Sequence, residues 1–463
     1  MAEPLDLDVP RRLHITNIGG AGMSSVATLL AEMGHRVSGH DPAADSPFLE
    51  PLRTLAVDVR TGSASGAIQD VDVVITSTAT PGDHPDVVAA AAAGIAVVHR
   101  SVALAAICAR RDTVAVAGTH GKTTTSALLA TVFADAGAEP GWMVGASVTA
   151  LGRSAAWGGS GPLVVEADES DGTFLALGAR SAIVTNVEPD HLEYWGGDSE
   201  LRAAFERFVA ALDGPAVLCL DDPGSASLVD VAARPVTYGT DPASDYQISA
   251  IATEGTGVRF VLHHRNAMFD VVVPAAPGVH NARNATAALA LAHQLGVDLP
   301  AAVRAITAFR GVARRFEVRG EAAGVVLVDS YDHLPTEVVA ALAAARAGEW
   351  SRVVCCFQPH RFSRTEALWR SFADSFADAD LLAVTDIYPA GEAPRPGVTG
   401  KLLVDAVLDA HPWKRVAWLP SLDDVVAYLG FTLRPGDLCI TLGAGDLTAV
   451  PDRVLGALQA RKR

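Results

Sequence analysis

The sequence predicts an α/β chain of about three domains, and three observations carry that prediction. Strand, glycine turn and Ala-rich helix alternate from end to end, the pattern of sheets covered by helices. The 463 residues amount to about three lengths of a usual domain of ~150. The composition is 49% hydrophobic and 19% charged, which supplies several cores and excludes a mainly disordered chain.

The first unit opens with a strand over Leu13–Ile18, a turn over Gly19–Gly22 and a helix over Ser24–Met33. A strand over Val71–Thr76, a helix over Asp86–Ala93 ended by Gly94, and a strand over Ile95–Val98 follow. The charged joint Arg110-Arg111-Asp112 ends the pattern, giving a first domain over residues 1–110. The second domain, 111–313, begins with the strand Thr113–Ala117 and runs to a short helical stretch ending near Arg310. Between Pro235 and Pro274 the text turns β-rich, which predicts a small accessory sheet. The third domain, 314–463, holds strands at Gly324–Val328, Arg352–Phe357, Leu381–Thr385 and Leu438–Leu442.

Charge narrows the function. With 36 basic and 53 acidic residues the net charge is −17, which repels nucleic acid and anionic membrane alike. The longest apolar-plus-Gly run, Val87 to Val98, is 12 residues and too short to span a bilayer. The N-terminus lacks an apolar signal region, and the five cysteines show no ligand spacing, so a reduced cytoplasmic enzyme is expected. Only four lysines occur, Lys122, Lys401, Lys414 and Lys462. A lysine alone in the first 400 residues marks a position that needs a compact point charge rather than a planar fork.

Lys122 lies in Gly118-Thr119-His120-Gly121-Lys122-Thr123-Thr124, between a strand and a helix. This is a shortened phosphate loop: backbone N–H groups cradle phosphates, the lysine bridges them, and Thr123 offers a hydroxyl to Mg²⁺. Glu166 continues the apolar strand Leu163–Val165 into the acidic run Glu166-Ala-Asp-Glu-Ser-Asp171, a place for a Mg²⁺ ligand, although a solvated loop explains the outer acids equally well. His191 follows the strand at Ala182–Asn186 and is a candidate ligand to a second metal, the alternative being an exposed or structural histidine. Asn281 and Asn284 share a face of one helix turn, suited to a base or ribose edge or to simple capping. In the first domain Asn17-x-Gly19-x-x-Gly22 reads as a dinucleotide-type turn, with Asn17 taking positive φ and Asp41 placed to read a ribose, or else as a tight turn without a ligand.

Together these motifs resemble the Mur ligases of peptidoglycan synthesis, through IGGAGMS, GTHGKTTT, EADESDGTFL, TNVEPDHLEY, PGVHNARNA, RRFE, QPHRFSRT, DIYPAGE and LGAGD in family order. The resemblance implies a Rossmann-like N-terminal UDP-sugar domain, a central P-loop ATPase with a parallel sheet, and a Rossmann-like C-terminal amino-acid domain. It implies ATP, Mg²⁺, UDP-N-acetylmuramic acid and L-alanine as ligands, joined through an acyl phosphate. It assigns catalysis to Lys122, Glu166, His191, Arg315 and His333, and the metal to Thr123, Glu166 and His191. ATP falls to Gly118–Thr124, Asn281, Asn284, Arg315 and Asp329. The UDP-sugar falls to Gly19, Gly20, Ala21, Gly22, Met23, Ser24 and Asp41, and the acceptor to His333, His360 and Arg361. The branch that adds the later residues typically carries a carbamylated lysine beside the metal, and this chain has no lysine between Lys122 and Lys401, as in the alanine-adding branch.

The segment Asp329-Ser-Tyr-Asp-His-Leu-Pro-Thr-Glu337 departs from the family's D-D-Y-[GA]-H-H-P-T-E. Asp332 then either lies near the incoming amine, favouring its ammonium form and a more alkaline rate optimum, or points to solvent. A ligase that recycles whole peptides and a nucleotide-binding paralogue without activity are the competing readings.

Overall fold

The computed structural model describes residues 5–460 apart from 45, 47, 65, 67 and 69. Three sheets carry the architecture, in three α/β domains. By packing, the residues fall into two compact units, one comprising the chain to Ile248 with Leu262–Phe269 and Arg283–Ala308, the other Ser249–Val261, Asp270–Ala282 and the chain from Phe309.

In the first unit, the N-terminal sheet is wholly parallel, ordered Asp58–Thr61, Arg36–Asp41, Arg12–Thr16, Val73–Thr76, Ala96–His99. The strand order reverses beside Arg12–Thr16, so the glycine turn that follows it sits at the switch point where such sheets bind ligands. Asn17 does take positive φ, 51°. The helix begins at Ala21 rather than Ser24, directly on the glycines, and runs to Glu32.

The central sheet has Thr113–Ala117 flanked by Leu163–Glu166 and Ser181–Val184, all parallel. All five residues of Thr113–Ala117 are buried, as for a strand covered on both faces. The helix behind the phosphate loop starts at Lys122, not Ser126, and Thr123 to Phe133 are all buried. The β-rich stretch is not a separate accessory sheet: Tyr246–Glu254 pairs parallel with Pro235–Gly239, and Gly257–His264 and Ala267–Val273 extend the same ten-stranded order.

In the second unit a six-stranded sheet is parallel except for its edge strand Glu317–Ala322, which pairs antiparallel with Val325–Ser330. Period-two alternation splits its core between two faces. Val328, Val353, Cys355 and Phe357 pack on one, Leu327, Val354, Cys356 and Cys439 on the other. Among the described residues no helix is long and apolar enough to cross a membrane.

Candidate active site

Glycines shape the phosphate loop. Gly118 has φ +129°, and a Cβ there would sit 2.1 Å from Thr185 Oγ1. Gly121 has φ +83°, and a Cβ there would meet Asn284 Oδ1 at 2.7 Å, which brings Asn284 against the loop. The next strand end clamps the loop from below. Asn186 Oδ1 accepts the His120 N–H at 2.8 Å, and the Thr185 hydroxyl and Asn186 amide donate to the His120 carbonyl at 2.6 and 3.0 Å. The Thr119 hydroxyl donates to the Glu188 carbonyl at 3.1 Å.

Lys122 Nζ donates to the carbonyls of Gly118 at 2.6 Å and Thr119 at 3.1 Å and to Glu169 Oε1 at 2.8 Å. Burial opposes its charge, but the charge of Glu169 and its hydrogen bond, aided by Asp168 and Glu166, outweigh burial and hold the ammonium above its ordinary pKa. The Glu169 side chain is only 2% exposed. This partner was not singled out by sequence reasoning, because four neighbouring acids look alike until the chain turns. Beside it, the Thr123 hydroxyl donates to Glu166 Oε1 at 2.8 Å, and Glu166 Oε2 accepts the Gly145 N–H at 2.6 Å. Two hard oxygens expected to share a cation therefore meet at the loop. Beyond the next strand His191 stands at the N-cap of the short helix Leu192–Trp195 with φ 52°, its Nε2 3.4 Å from Asp190. The short helix behind it ties back through Trp195 Nε1, which donates to the Glu169 carbonyl at 3.1 Å.

The N-terminal turn opens on the same unit. Ala21 and Gly22 leave their amides at a helix start that no side chain caps, while the Gly20 N–H donates to the Asn17 carbonyl at 3.1 Å. Met23 and Ser24 are buried, and the Ser24 hydroxyl donates to the Ala21 carbonyl at 2.9 Å, so it braces the turn from inside. Asp41 is not a free ribose reader. Its Oδ2 accepts the Gly19 N–H at 2.8 Å and its Oδ1 the Ala43 N–H at 2.9 Å, so it braces the loop from inside. A further residue outside the sequence reading is Arg100. It lies 3.0 Å from where a Gly22 Cβ would be, and it donates to Asp168 at 3.2 Å and Asp171 at 2.7 Å. It thus joins the glycine turn to the acidic end of the Glu166 strand.

In the second unit, Asn281 donates to the Pro277 carbonyl at 2.7 Å, a local turn bond rather than an open recognition edge. Asp329 is 1% exposed and accepts the Thr441 and Thr448 hydroxyls at 2.7 and 2.6 Å, with Arg314 at 3.4 Å, so it buttresses the sheet end instead of facing a nucleotide. Arg314 and Arg315 both lie over the Tyr331 ring. His333 and His360 are 5.5 Å apart by ring centroids, and His360 stacks on Tyr388. Burial, then His333, Arg364 and Arg361, push the His360 pKa down to about 4, and Arg364 donates to its Nδ1 at 3.1 Å, so the ring is a neutral acceptor. Burial lowers His333 as well, although Glu337 acts in the opposite direction. Arg361 adopts φ 69° between His360 and the following helix, a costly conformation for a non-glycine residue. Asp332 points neither simply to solvent nor freely into the site: Oδ2 accepts the Ser330 hydroxyl at 2.6 Å.

The chain matches three family models in order: the Mur ligase family catalytic domain over residues 12–112, the Mur ligase middle domain over 116–292, and the Mur ligase glutamate ligase domain over 314–445. It is 45% identical to a UDP-N-acetylmuramate–L-alanine ligase of Kineococcus radiotolerans over 97% of each chain. It is 39% identical to one of Syntrophus aciditrophicus over 97% of this chain and 94% of that one. Among solved structures, a UDP-N-acetylmuramate-alanine ligase of Thermotoga maritima superposes with a TM-score of 0.84 at 27% identity, covering 97% of this chain and all of that one. A murein peptide ligase of Psychrobacter arcticus shares the fold, with a TM-score of 0.70 at 24% identity over 97% and 99%. With three models in sequence across most of its length and full-length relatives at this identity, the chain belongs to the Mur ligase family.

Proposed function

We propose that this chain is an ATP-dependent ligase that joins L-alanine to the lactyl carboxylate of UDP-N-acetylmuramic acid. The observation that carries this reading is the match over 97% of the chain to relatives named for that activity, one of them at 45% identity. The lactyl carboxylate attacks the γ-phosphorus of ATP, ADP leaves, and the alanine amine then attacks the acyl carbon, releasing phosphate and a proton.

The backbone amides of Gly121, Lys122, Thr123 and Thr124 would take the phosphates, with the Lys122 side chain as the compact cation among them. The Thr123 hydroxyl and Glu166 carboxylate are a donor pair that fits a hard divalent ion. Thr123, Glu166 and His191 would hold Mg²⁺, which neutralises phosphate charge when bound. Asn284, against the loop, would meet the nucleotide, and Arg315 is assigned to ATP by the family resemblance alone. The amides of Ala21 and Gly22 would take the UDP pyrophosphate. Arg361 would pair with the alanine carboxylate, the neutral ring of His333 would accept from the amine through Nε2, and His360, whose Nδ1 is taken by Arg364, would offer its Nε2–H as a donor. Dependence on ATP and a UDP-sugar places the work in the cytoplasm, and we assign the three steps of binding to domains 1–110, 111–313 and 314–463.

Phosphate release with UDP-N-acetylmuramic acid, as the amine is varied, tests the reading. Alanine should be the best substrate, with glycine and serine behind it. Faster turnover with a free tripeptide than with alanine would overturn it in favour of peptide recycling, and no amine-dependent release would overturn ligase activity altogether.

A further inference from the structure

We propose that His40, His84 and Asp86 form a site for a zinc-class divalent transition metal in the N-terminal domain, separate from the Mg²⁺ position at the phosphate loop. One donor atom from each of the three lies within 4.8 Å of the others. His40 ends the strand Arg36–Asp41, His84 caps the helix Pro85–Ala93, and Asp86 stands in that helix's first turn. An ion there would pin the sheet to the helix.

The state of each donor matches what a metal needs. The Nε2–H of His40 donates to the Gly62 carbonyl at 2.7 Å, which fixes the tautomer and leaves the lone pair on Nδ1. That Nδ1 is buried and has no hydrogen-bond partner, in a residue only 6% exposed. An unpartnered buried nitrogen is costly unless something binds it. A backbone carbonyl behind the ring is the arrangement that orients metal-bound histidines. Asp86 is 3% exposed. Its Oδ1 accepts the Gly66 N–H at 3.2 Å, and its Oδ2 lies 3.9 Å from His84 Nδ1. His14 supports the carboxylate from the other side, with Nε2 3.3 Å from Oδ2 and Nδ1 3.0 Å from the Ser38 hydroxyl. Ligands of tetrahedral zinc, ~2.0–2.1 Å from the ion, stand roughly 3.3 Å from one another, so these donors close on an ion by small side-chain rotations. Two imidazoles and one carboxylate favour zinc or its neighbours over Mg²⁺. The His84 side chain, 11% exposed, provides the route in and exchanges a long 3.3 Å bond from the Asp86 N–H for the metal.

The test uses the full chain, stripped with a chelator and dialysed against micromolar free zinc with excess Mg²⁺ present. Elemental analysis should find one zinc per chain in the wild type and in His191→Ala. His84→Ala and His40→Ala should lose affinity by roughly 100-fold or more. Cobalt alone should give visible d–d absorption in the wild type that His84→Ala abolishes. His84→Ala changes a partly exposed cap and should keep the wild-type circular dichroism; if His40→Ala unfolds, His84→Gln takes its place. A wild type without stoichiometric zinc, or zinc retained by a folded His84→Ala, would overturn the proposal.

Discussion

Replacing Glu169 by Gln removes the charge that faces Lys122 and keeps the side chain's size. At 2.8 Å, an effective dielectric near 20 gives about 6 kcal/mol of attraction. Part of that returns, because a carboxylate only 2% exposed no longer has to be desolvated. Losing one partner of a buried pair costs about 3–5 kcal/mol as a rule. Lys122 keeps two loop carbonyls, which sets the expected loss at the low end, ~3 kcal/mol. For a cooperative unit of this size the melting temperature should fall by about 5 °C or more. A nucleotide triphosphate would offer the stranded ammonium a new anion, so MgATP should raise the Tm of the variant by more than it raises the wild type. Calorimetry on the wild type, Glu169→Gln, Lys122→Met and the double variant completes the cycle. Additive losses, or a Glu169→Gln Tm equal to wild type, would refute the coupling.

Three further outcomes follow from the same geometry. Lys122→Arg should lower kcat by about 10³-fold or more although the charge is kept, because its ammonium sits between two loop carbonyls where a guanidinium is too wide; steady-state phosphate release measures it. Glu166→Gln should raise the Mg²⁺ concentration needed for half-maximal rate about tenfold or more while calorimetric binding of the UDP-sugar stays unchanged. His360 has a folded pKa of about 4, below its unfolded value, so it binds fewer protons folded than unfolded. Its contribution to stability is therefore present above the unfolded pKa and lost as pH falls toward about 4, and urea midpoints of His360→Gln should depend less on pH across that window than those of the wild type.

What could be read from the sequence follows from where physics is local. Thr113–Ala117 and Arg352–Phe357 were legible to the residue because strands buried on both faces are written as unbroken apolar runs. The phosphate loop was legible because Gly118 and Gly121 occupy positions that no other residue fits. The helix starts were misjudged because Lys122-Thr-Thr-Thr-Ser reads as polar and exposed, whereas Thr123 to Ser126 are packed beneath the loop. The partners of charged groups were not legible. Asp41 and Asp329 carry the right residue type at the right strand end, yet their oxygens hold Gly19 and Ala43 in one case and Thr441 and Thr448 in the other. Arg100 gave no signal, since its acids lie 68 and 71 residues downstream.

The altered segment of the third domain shows the same limit from the opposite side. Read residue by residue, Asp332 is an added carboxylate that threatens the reactivity of an incoming amine. In the fold its Oδ2 is engaged by the hydroxyl of Ser330, another of the three substituted positions, and the Ser330 oxygen in turn accepts the Phe316 N–H at 3.0 Å. Two departures two residues apart thus compensate each other: the serine supplies a donor, and the aspartate supplies its acceptor. Lone-pair capacity spent on Ser330 is not available to hold an ammonium, which weakens the reason for an alkaline optimum. Leu334 fits the same account. The turn it occupies is capped by Glu337, which accepts the N–H groups of His333 and Leu334 at 2.9 and 3.0 Å, so the loop is held without a second imidazole. On the proposed assignment, the chemistry facing the acceptor is then left to His333, His360 and Arg361.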